Sequence, residues 1–554
     1  TLMTRSPSNL KAYSYNLLGS LAGVIAMQAM SIIWTPPIIW FGVAFAGLLC
    51  FMLHSYRTLF VSGALSLIVL SIMAWPVSFE VQRIYSPYQL IEREYTPDGL
   101  MHIRAAGHTF QTAHNLDRDH VAQVNIPSVT RQAQYYELPY NVLGKPKRVA
   151  IVGAGTGNDV AAALRMGAEH VDAVEIDPAV LMLGELYHPE KPYSDERVTS
   201  IVNDARSHFR NTDQSYDMIL YGLLDSHSVL SHASSVRLDS FVYTVEGFRE
   251  ARSRLTENGV LSLSFYVLTP ELAKKIYLML EEAFDGKAPI ALQSNYNNYY
   301  LFFEANSTLP ASYTSVLSSA EYTDISNEMK NNTAEVSVAT DDWPFFYMPQ
   351  RVYPYSYIGI LAMFFALFAL LFGSLAKEKP ELSQGTYFFL GAGFMLIETK
   401  GITELGLTFG NTWQVIGIVI SGVLIMAFLA NLFVDRIKVT KLTIPFICLL
   451  ISLAIGYAIA WSGGLPSSTL GRIGTVITIT CPIFFSGICF STVLSKSKNI
   501  SGAMAANLLG AMFGGLMEYN SMRFGFQSLY LLGFILYLCA VCSHLMQLKY
   551  SRIA

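Results

Sequence analysis

The stretch Val149-Ala-Ile-Val-Gly153-Ala-Gly155-Thr-Gly157-Asn-Asp159 constrains the fold more than any other part of this chain. Lys147 to Val152 reads as a buried parallel strand that runs into a turn of small residues. Such residues let the backbone pass close to a ligand, and a helix beginning near Asn158 offers free N–H groups. About 20 residues on, Glu175 closes the next apolar run, His170-Val-Asp-Ala-Val-Glu175, where an acid takes both ribose hydroxyls of a nucleotide-type ligand. A glycine-rich turn alone says little. With the acid and a βαβ pattern around both, it points to a nucleoside site.

Two further runs extend the same sheet. Val198 to Ala205 ends a strand at Asn203-Asp204-Ala205, and Tyr216 to Tyr221 is another strand, opening into Gly222-Leu-Leu-Asp225-Ser-His227. Ligands of open α/β sheets sit at the carboxyl ends of strands, so Glu175, Asp204 and Asp225 are expected to converge there.

The surroundings of this domain are apolar. With 554 residues, 52% hydrophobic and 14% charged, the chain is too apolar for an ordinary soluble enzyme. The apolar residues come in runs of roughly 20, enough to cross a hydrocarbon core of about 30 Å. About three spans are expected before the mixed region, at 14–34, 36–53 and 59–75. About seven follow it, at 355–376, 387–410, 413–433, 442–461, 473–494, 504–519 and 529–545. The expected fold is therefore an α-helical polytopic membrane protein with an inserted α/β domain. Its parts are helices over 1–76, the α/β domain over 77–354 and a helical bundle over 355–554. Within the inserted domain a small β part covers about 77–130 and the nucleoside-binding part about 131–300.

The net charge of −4 and the lack of a basic tract give no reason to expect nucleic acid as a partner. The cysteines Cys50, Cys448, Cys481, Cys489, Cys539 and Cys542 all fall in apolar runs, which argues against a disulfide framework or thiolate metal cluster in the α/β domain. His227 and His232, without further ligands nearby, make a poor zinc site, and no metal is expected.

An internal repeat links the two ends. Asn16-Leu-Leu-Gly19-Ser-Leu-Ala-Gly23 recurs as Asn507-Leu-Leu-Gly510-Ala-Met-Phe-Gly514, each copy placing two glycines on one helix face. This is either ordinary close helix packing or the trace of two related bundles, as in transporter folds. Four or five spans precede the second copy and none the first, and the chain starts without Met, so a longer native N-terminus is expected. If the spans are right, Arg5, Lys11, Arg57, Lys377, Lys379, Arg436, Lys438, Lys441, Lys496, Lys498, Lys549 and Arg552 share one side. Arg472 and Arg523 lie on the other, with the α/β domain. The positive-inside rule then puts that domain outside the cytoplasm. Glu398, Lys400, Glu404 and Glu518 stand inside apolar runs. Lys400 and Glu404, one turn apart, either satisfy each other or mark a pathway, on a helix that Gly401 is expected to break.

The polar stretch from Asp225 to Tyr243 has two readings. In one it is an acceptor-side loop, with Asp225 or His227 as base and Asp239 and Tyr243 shaping a pocket. In the other it is a solvated loop that leads into a helix near Val245, capped by Thr244 with Glu246 in its first turn.

The α/β domain resembles the spermidine synthase family of aminopropyltransferases, which have the class I methyltransferase fold. The membrane-fused layout resembles proteins described as fused major-facilitator/spermidine synthase. The similarity runs from about Tyr85 to Val267 and includes Ser86-Pro87-Tyr88-Gln89 ahead of the small β part. Thr340-Asp341-Asp342-Trp343-Pro344-Phe345 looks like a signature of the membrane-fused group. The resemblance implies that Gln89 contacts the donor and that Gly153, Gly155, Gly157 and Asp159 form its loop. It also implies that Glu175 clamps the ribose and that Asp204 with Ala205 holds the adenine. The implied donor is S-adenosylmethionine or its decarboxylated form, made in the cytoplasm, which favours a cytoplasmic domain against the charge bias of the loops. The implied reaction moves an aminopropyl or methyl group to an amine or another membrane-proximal nucleophile.

Two positions depart from the family pattern. A Tyr-His-Glu motif stands here as Tyr135-Tyr136-Glu137, and of two acids at the catalytic strand end the first is Gly222, leaving Asp225. The alternative is a transporter-like or complex-associated membrane subunit, whose nucleoside domain is a sensor or inactive scaffold. A nicotinamide oxidoreductase has no use for Asp204-Ala205 or for Ser86-Pro-Tyr-Gln.

Overall fold

A computed structural model describes residues 8–75, 78, 80–105, 107–224, 241–309, 321–375, 382–466, 468–497 and 499–553. The chain divides into two compact units. One comprises Ala26–Ala233 and Val245–Ala334, the other Thr1–Ile25, Ser234–Thr244 and Glu335–Ala554.

The first unit holds two sheets. Strands β1 (Gln82–Tyr85), β2 (Leu90–Tyr95), β3 (Met101–Ala105) and β4 (His108–Thr112) form an antiparallel meander in sequence order. The larger sheet uses β5 (Arg148–Val152), β6 (His170–Glu175), β7 (Val198–Val202), β8 (Tyr216–Tyr221), β9 (Leu255–Tyr266), β10 (Ile290–Ser294), β11 (Tyr299–Ala305) and β12 (Tyr322–Asp324). Their spatial order is β12-β10-β11-β9-β8-β5-β6-β7. β5 to β9 pair in parallel, and β10 to β12 add an antiparallel extension.

Chain order reverses at β5, with β6 and β7 on one side and β8 and β9 on the other. That is the topological switch point where open α/β sheets bind ligands, and the glycine loop leaves from it. The strands form because they are unbroken apolar, β-branched runs covered on both faces. Val149, Ile151, Val171, Ala173, Met218, Leu220 and Val260 are all buried in one core.

Among the described residues, seven helices are long and apolar enough to cross a membrane. Two lie near the N-terminus, Asn9–Ile32 and Tyr56–Ala74. The expected span at 36–53 is a helix of only 14 residues, Pro37–Cys50, and at 1.5 Å per residue it falls short of a bilayer core. The expected spans at 355–376 and 387–410 are also not among the seven, and the helix at the second, Leu382–Phe409, runs unbroken for 28 residues through Gly401. Its charges are handled locally. Lys400 Nζ lies 3.0 Å from Glu404 Oε2, and Tyr530 donates to the same oxygen at 2.7 Å.

The two copies of the glycine repeat behave differently. A Cβ at Gly510 would stand 1.9 Å from the Phe388 carbonyl oxygen, and one at Gly514 2.1 Å from that of Ala392. Helix Ile500–Met517 therefore touches Leu382–Phe409 backbone to backbone, and a Cβ at Gly391 would stand 2.2 Å from Asn507 O in the same seam. At Gly19 and Gly23 no atom among the described residues comes within 4 Å of a Cβ position.

The segment Thr340 to Phe345 belongs to this helical unit. Trp343 is fully buried and donates its indole N–H to Met522 O at 2.7 Å. Asp342 accepts from Gln527 N through Oδ1 and from Phe526 N through its carbonyl, both at 2.7 Å. Phe345 stacks on Phe526. These contacts fasten the turn between helices Ile500–Met517 and Ser528–Ile553.

Candidate functional site: a glycine loop locked to Glu175

Gly153, Gly155 and Gly157 have φ of 69°, 55° and 108°, so the loop after β5 winds through the left-handed region that favours glycine. Space excludes side chains as well. A Cβ at Gly155 would stand 2.5 Å from Gln111 Oε1, and one at Gly153 1.7 Å from Leu224 Cδ2.

Glu175, at the end of β6, holds this loop in place. Its Oε2 accepts from Gly155 N at 2.9 Å and its Oε1 from Asp177 N at 2.9 Å. Burial pushes its carboxyl up to about 7, against backbone bonds from Asp177, Gly155 and Ile176 that pull it down. A carboxylate offers about four lone-pair sites, so these backbone bonds leave it capacity for a further hydrogen bond. The residue thus fastens the loop through both of its carboxylate oxygens.

Asp177 caps helix Pro178–Tyr187 through Ala179 N at 3.0 Å. Ser86 Oγ donates to its other oxygen at 2.6 Å, and Gln89 also bonds its carboxylate. The Ser86-Pro-Tyr-Gln segment, between β1 and β2, is thereby brought to the end of β6. Asp204 closes β7 and caps helix Ala205–Asn211, accepting from Ser207 N at 2.7 Å. Ala205 is the first residue of that helix.

Sequence reasoning did not find several residues of this site. Gln111, on β4 of the small sheet, accepts from Thr156 N at 2.9 Å. Tyr193 donates to Gly155 O at 2.7 Å. Asn158 takes His114 N on Oδ1 at 3.0 Å and gives Nδ2 to Thr112 O at 2.9 Å, while His188 Nε2 lies 3.1 Å from the same Oδ1. Burial and the cations beside it, Arg165 first, drop His188 to about 3, so it sits neutral. No local pattern marks Gln111 or Tyr193, because the partners lie far apart in the chain.

On the acceptor side, Asp225, His227 and Asp239 lie outside the described residues, as does His232. Tyr243 is fully buried and stacks on Phe346 with ring centroids 4.6 Å apart. Thr244 Oγ1 lies 3.0 Å from Asp341 Oδ1, as donor to the carboxylate. Among the described residues no group of three or more His, Cys, Asp or Glu is placed to hold a metal.

Residues 129–294 match the family model described as Spermine/spermidine synthase domain. The chain is 31% identical over 133 residues to the polyamine aminopropyltransferase of Thermococcus onnurineus (strain NA1), covering 23% of this chain and 44% of that protein. It is 27% identical over 122 residues to that of Korarchaeum cryptofilum (strain OPF8), covering 22% and 35%. With the Vibrio vulnificus (strain CMCP6) protein it shares 31% over 121 residues, covering 21% and 37%. The chain thus spans less than half the length of these curated relatives. Among solved structures it is similar to the spermidine synthase of Thermotoga maritima, at 18% identity and a TM-score of 0.32, covering 41% of this chain and 73% of that one. Within this larger chain, the β5–β10 region carries a spermidine synthase-like α/β domain.

Proposed function

We propose that this chain is an integral membrane transferase. In this reading its α/β domain binds S-adenosylmethionine or decarboxylated S-adenosylmethionine and passes a methyl or aminopropyl group to an amine or another nucleophile near the bilayer. The observation that carries the reading is the closure of the glycine loop on Glu175, whose carboxylate keeps lone-pair capacity for a ribose hydroxyl. The similarity to polyamine aminopropyltransferases supports the same class.

Gln89, Gly153, Gly155, Gly157, Asp159, Glu175, Asp204 and Ala205 form the donor side in this reading, and Asp225, His227, Asp239 and Tyr243 the acceptor side. The reaction is displacement at a carbon beside the sulfonium. The acceptor lone pair forms the new bond, the carbon–sulfur bond breaks, and its electrons stay on the departing thioether. Alignment of nucleophile, carbon and sulfur supplies most of the acceleration, so glycine at 222 in place of an acid is tolerable for an acceptor that arrives deprotonated.

The test is calorimetry on the full chain in detergent, followed by product analysis. Donor binding that Glu175→Ala abolishes supports the reading, and absence of binding overturns it. Methylthioadenosine among the products marks aminopropyl transfer, and S-adenosylhomocysteine marks methyl transfer. Binding without either product favours the second reading, a transporter-like or complex-associated subunit with a nucleoside-sensing domain. The buried Lys400–Glu404–Tyr530 group in the helical unit is the observation on its side.

The proposed location is the plasma membrane, with the basic loops holding Arg436, Lys438, Lys441 and Lys496 in the cytoplasm. If, of the described N-terminal helices, only Asn9–Ile32 and Tyr56–Ala74 cross, the even count would put Arg5 and Lys11 on the same side as the α/β domain, the reverse of the side expected for them from three crossings. Protease accessibility of the α/β domain in intact cells decides its side.

A further inference from the structure

Asp159 stands in the first turn of helix Asn158–Arg165, directly after the glycine loop. Its carboxylate takes up room that Gly222 leaves open at the end of β8, where a Cβ would stand 3.1 Å from Asp159 Oδ2. The other atoms nearest that position are the carbonyl oxygens of Gly153 and Val152, at 3.6 and 3.7 Å, which can accept but not donate. Among the described residues no cation and no hydrogen-bond donor is paired with this carboxylate.

Burial lifts the Asp159 carboxyl to about 7. The positive end of the helix offsets part of the cost of a buried charge, and only part, since the group would otherwise be pulled down rather than up. Its charge also reaches a set of phenols. After burial itself, it raises Tyr136, and it adds to the upward shifts of Tyr135 and Tyr193. The Tyr135 ring lies 5.2 Å from that of Tyr136 and 5.0 Å from that of Tyr299. A carboxylate without a partner, set among carbonyl oxygens and aromatic rings, is the complement of a cation.

We propose that Asp159 anchors a cationic group of the ligand, an ammonium or a sulfonium, and stands in for the acid absent at Gly222. This rests on the donor-site reading above. It moves the negative charge from the end of β8 to the start of the neighbouring helix, across the same gap.

The experiment is calorimetry at pH 8 on the full chain in detergent, native and Asp159→Asn, with three probes. Methylthioadenosine carries neither sulfonium nor amine, decarboxylated S-adenosylmethionine carries both, and putrescine is titrated onto protein saturated with methylthioadenosine. The variant should bind methylthioadenosine like the native protein and lose at least about tenfold on a charged probe. Loss on decarboxylated S-adenosylmethionine assigns the donor's cation, and loss on putrescine assigns the acceptor's ammonium. Unchanged affinity for both charged probes, or equal weakening of all three, overturns the proposal. Failure of the native protein to bind either nucleoside overturns the donor-site reading itself, and is distinguished by the native titrations alone.

Discussion

Glycine does different work in the two units. In the loop after β5 it supplies conformation, with positive φ at Gly153, Gly155 and Gly157, and the groups pressed against it are side chains such as Gln111 and Leu224. In the helical unit Gly391, Gly510 and Gly514 have ordinary helical backbone, and what presses on them is the backbone of the facing helix. A side chain can move aside, whereas a helix backbone cannot do so without unpacking the seam. The seam is therefore the less forgiving of the two, although the proposed site lies at the loop.

The largest effect is expected at the seam. Gly510→Val drives a branched side chain into Phe388 O and should cost about 3 kcal/mol or more, read as a large fall in thermal midpoint in detergent. If the fall is negligible, the backbone contact is not what holds these helices together. Next comes Glu175→Ala, which removes the acceptor for Gly155 N and Asp177 N. Donor affinity should drop by about a hundredfold or more, on the order of 3 kcal/mol, while the helical unit melts as before.

A third expectation concerns pH. Burial holds Asp159 and Glu175 near 7, against ordinary values of 3.8 and 4.5. Across that interval the folded domain keeps protons that the unfolded chain has released, so its stability falls as pH rises from about 4 to about 7. For Glu175 the upper bound is on the order of 3 kcal/mol. Denaturant titrations of the native chain should show the fall, and Glu175→Gln should reduce it to the part that Asp159 contributes; a curve that instead rises with pH contradicts the burial described for both carboxyls.

Smaller changes sharpen the contrast. Gln111→Ala leaves Thr156 N without its partner and should cost about 1 kcal/mol of donor binding, with no effect on the seam. Gly19→Ala meets nothing within 4 Å and should stay within about 0.5 kcal/mol of native stability. A large loss there would show that the first copy of the repeat is packed against a partner, either a further segment or a separate subunit of a membrane complex.

Much of the α/β unit was legible because its signals are local. The strand expected to end at Glu175 runs His170–Glu175, and that expected at 216–221 runs Tyr216–Tyr221. Apolar runs bounded by turns and acids fix such elements without help from the rest of the chain. The apolar helices were read less well. The run at 36–53 is apolar throughout, yet its helix stops at Cys50, and hydropathy does not report where helical geometry ends. Gly401 suggested a break, but Ile479 lies against its vacant Cβ position and the helix continues, so tertiary packing outweighed propensity.

Sequence alone determined the strand ends, the glycine turn and the acid about 20 residues beyond it, because period, turn chemistry and spacing are properties of neighbours along the chain. Tertiary structure alone decided that Gln111 and Tyr193 hold the loop, that one glycine repeat packs while its twin meets nothing among the described residues, and that Asp159 faces the gap at Gly222. Those contacts join positions far apart in sequence. Their energies depend on distances of a few ångströms, which only the folded chain sets.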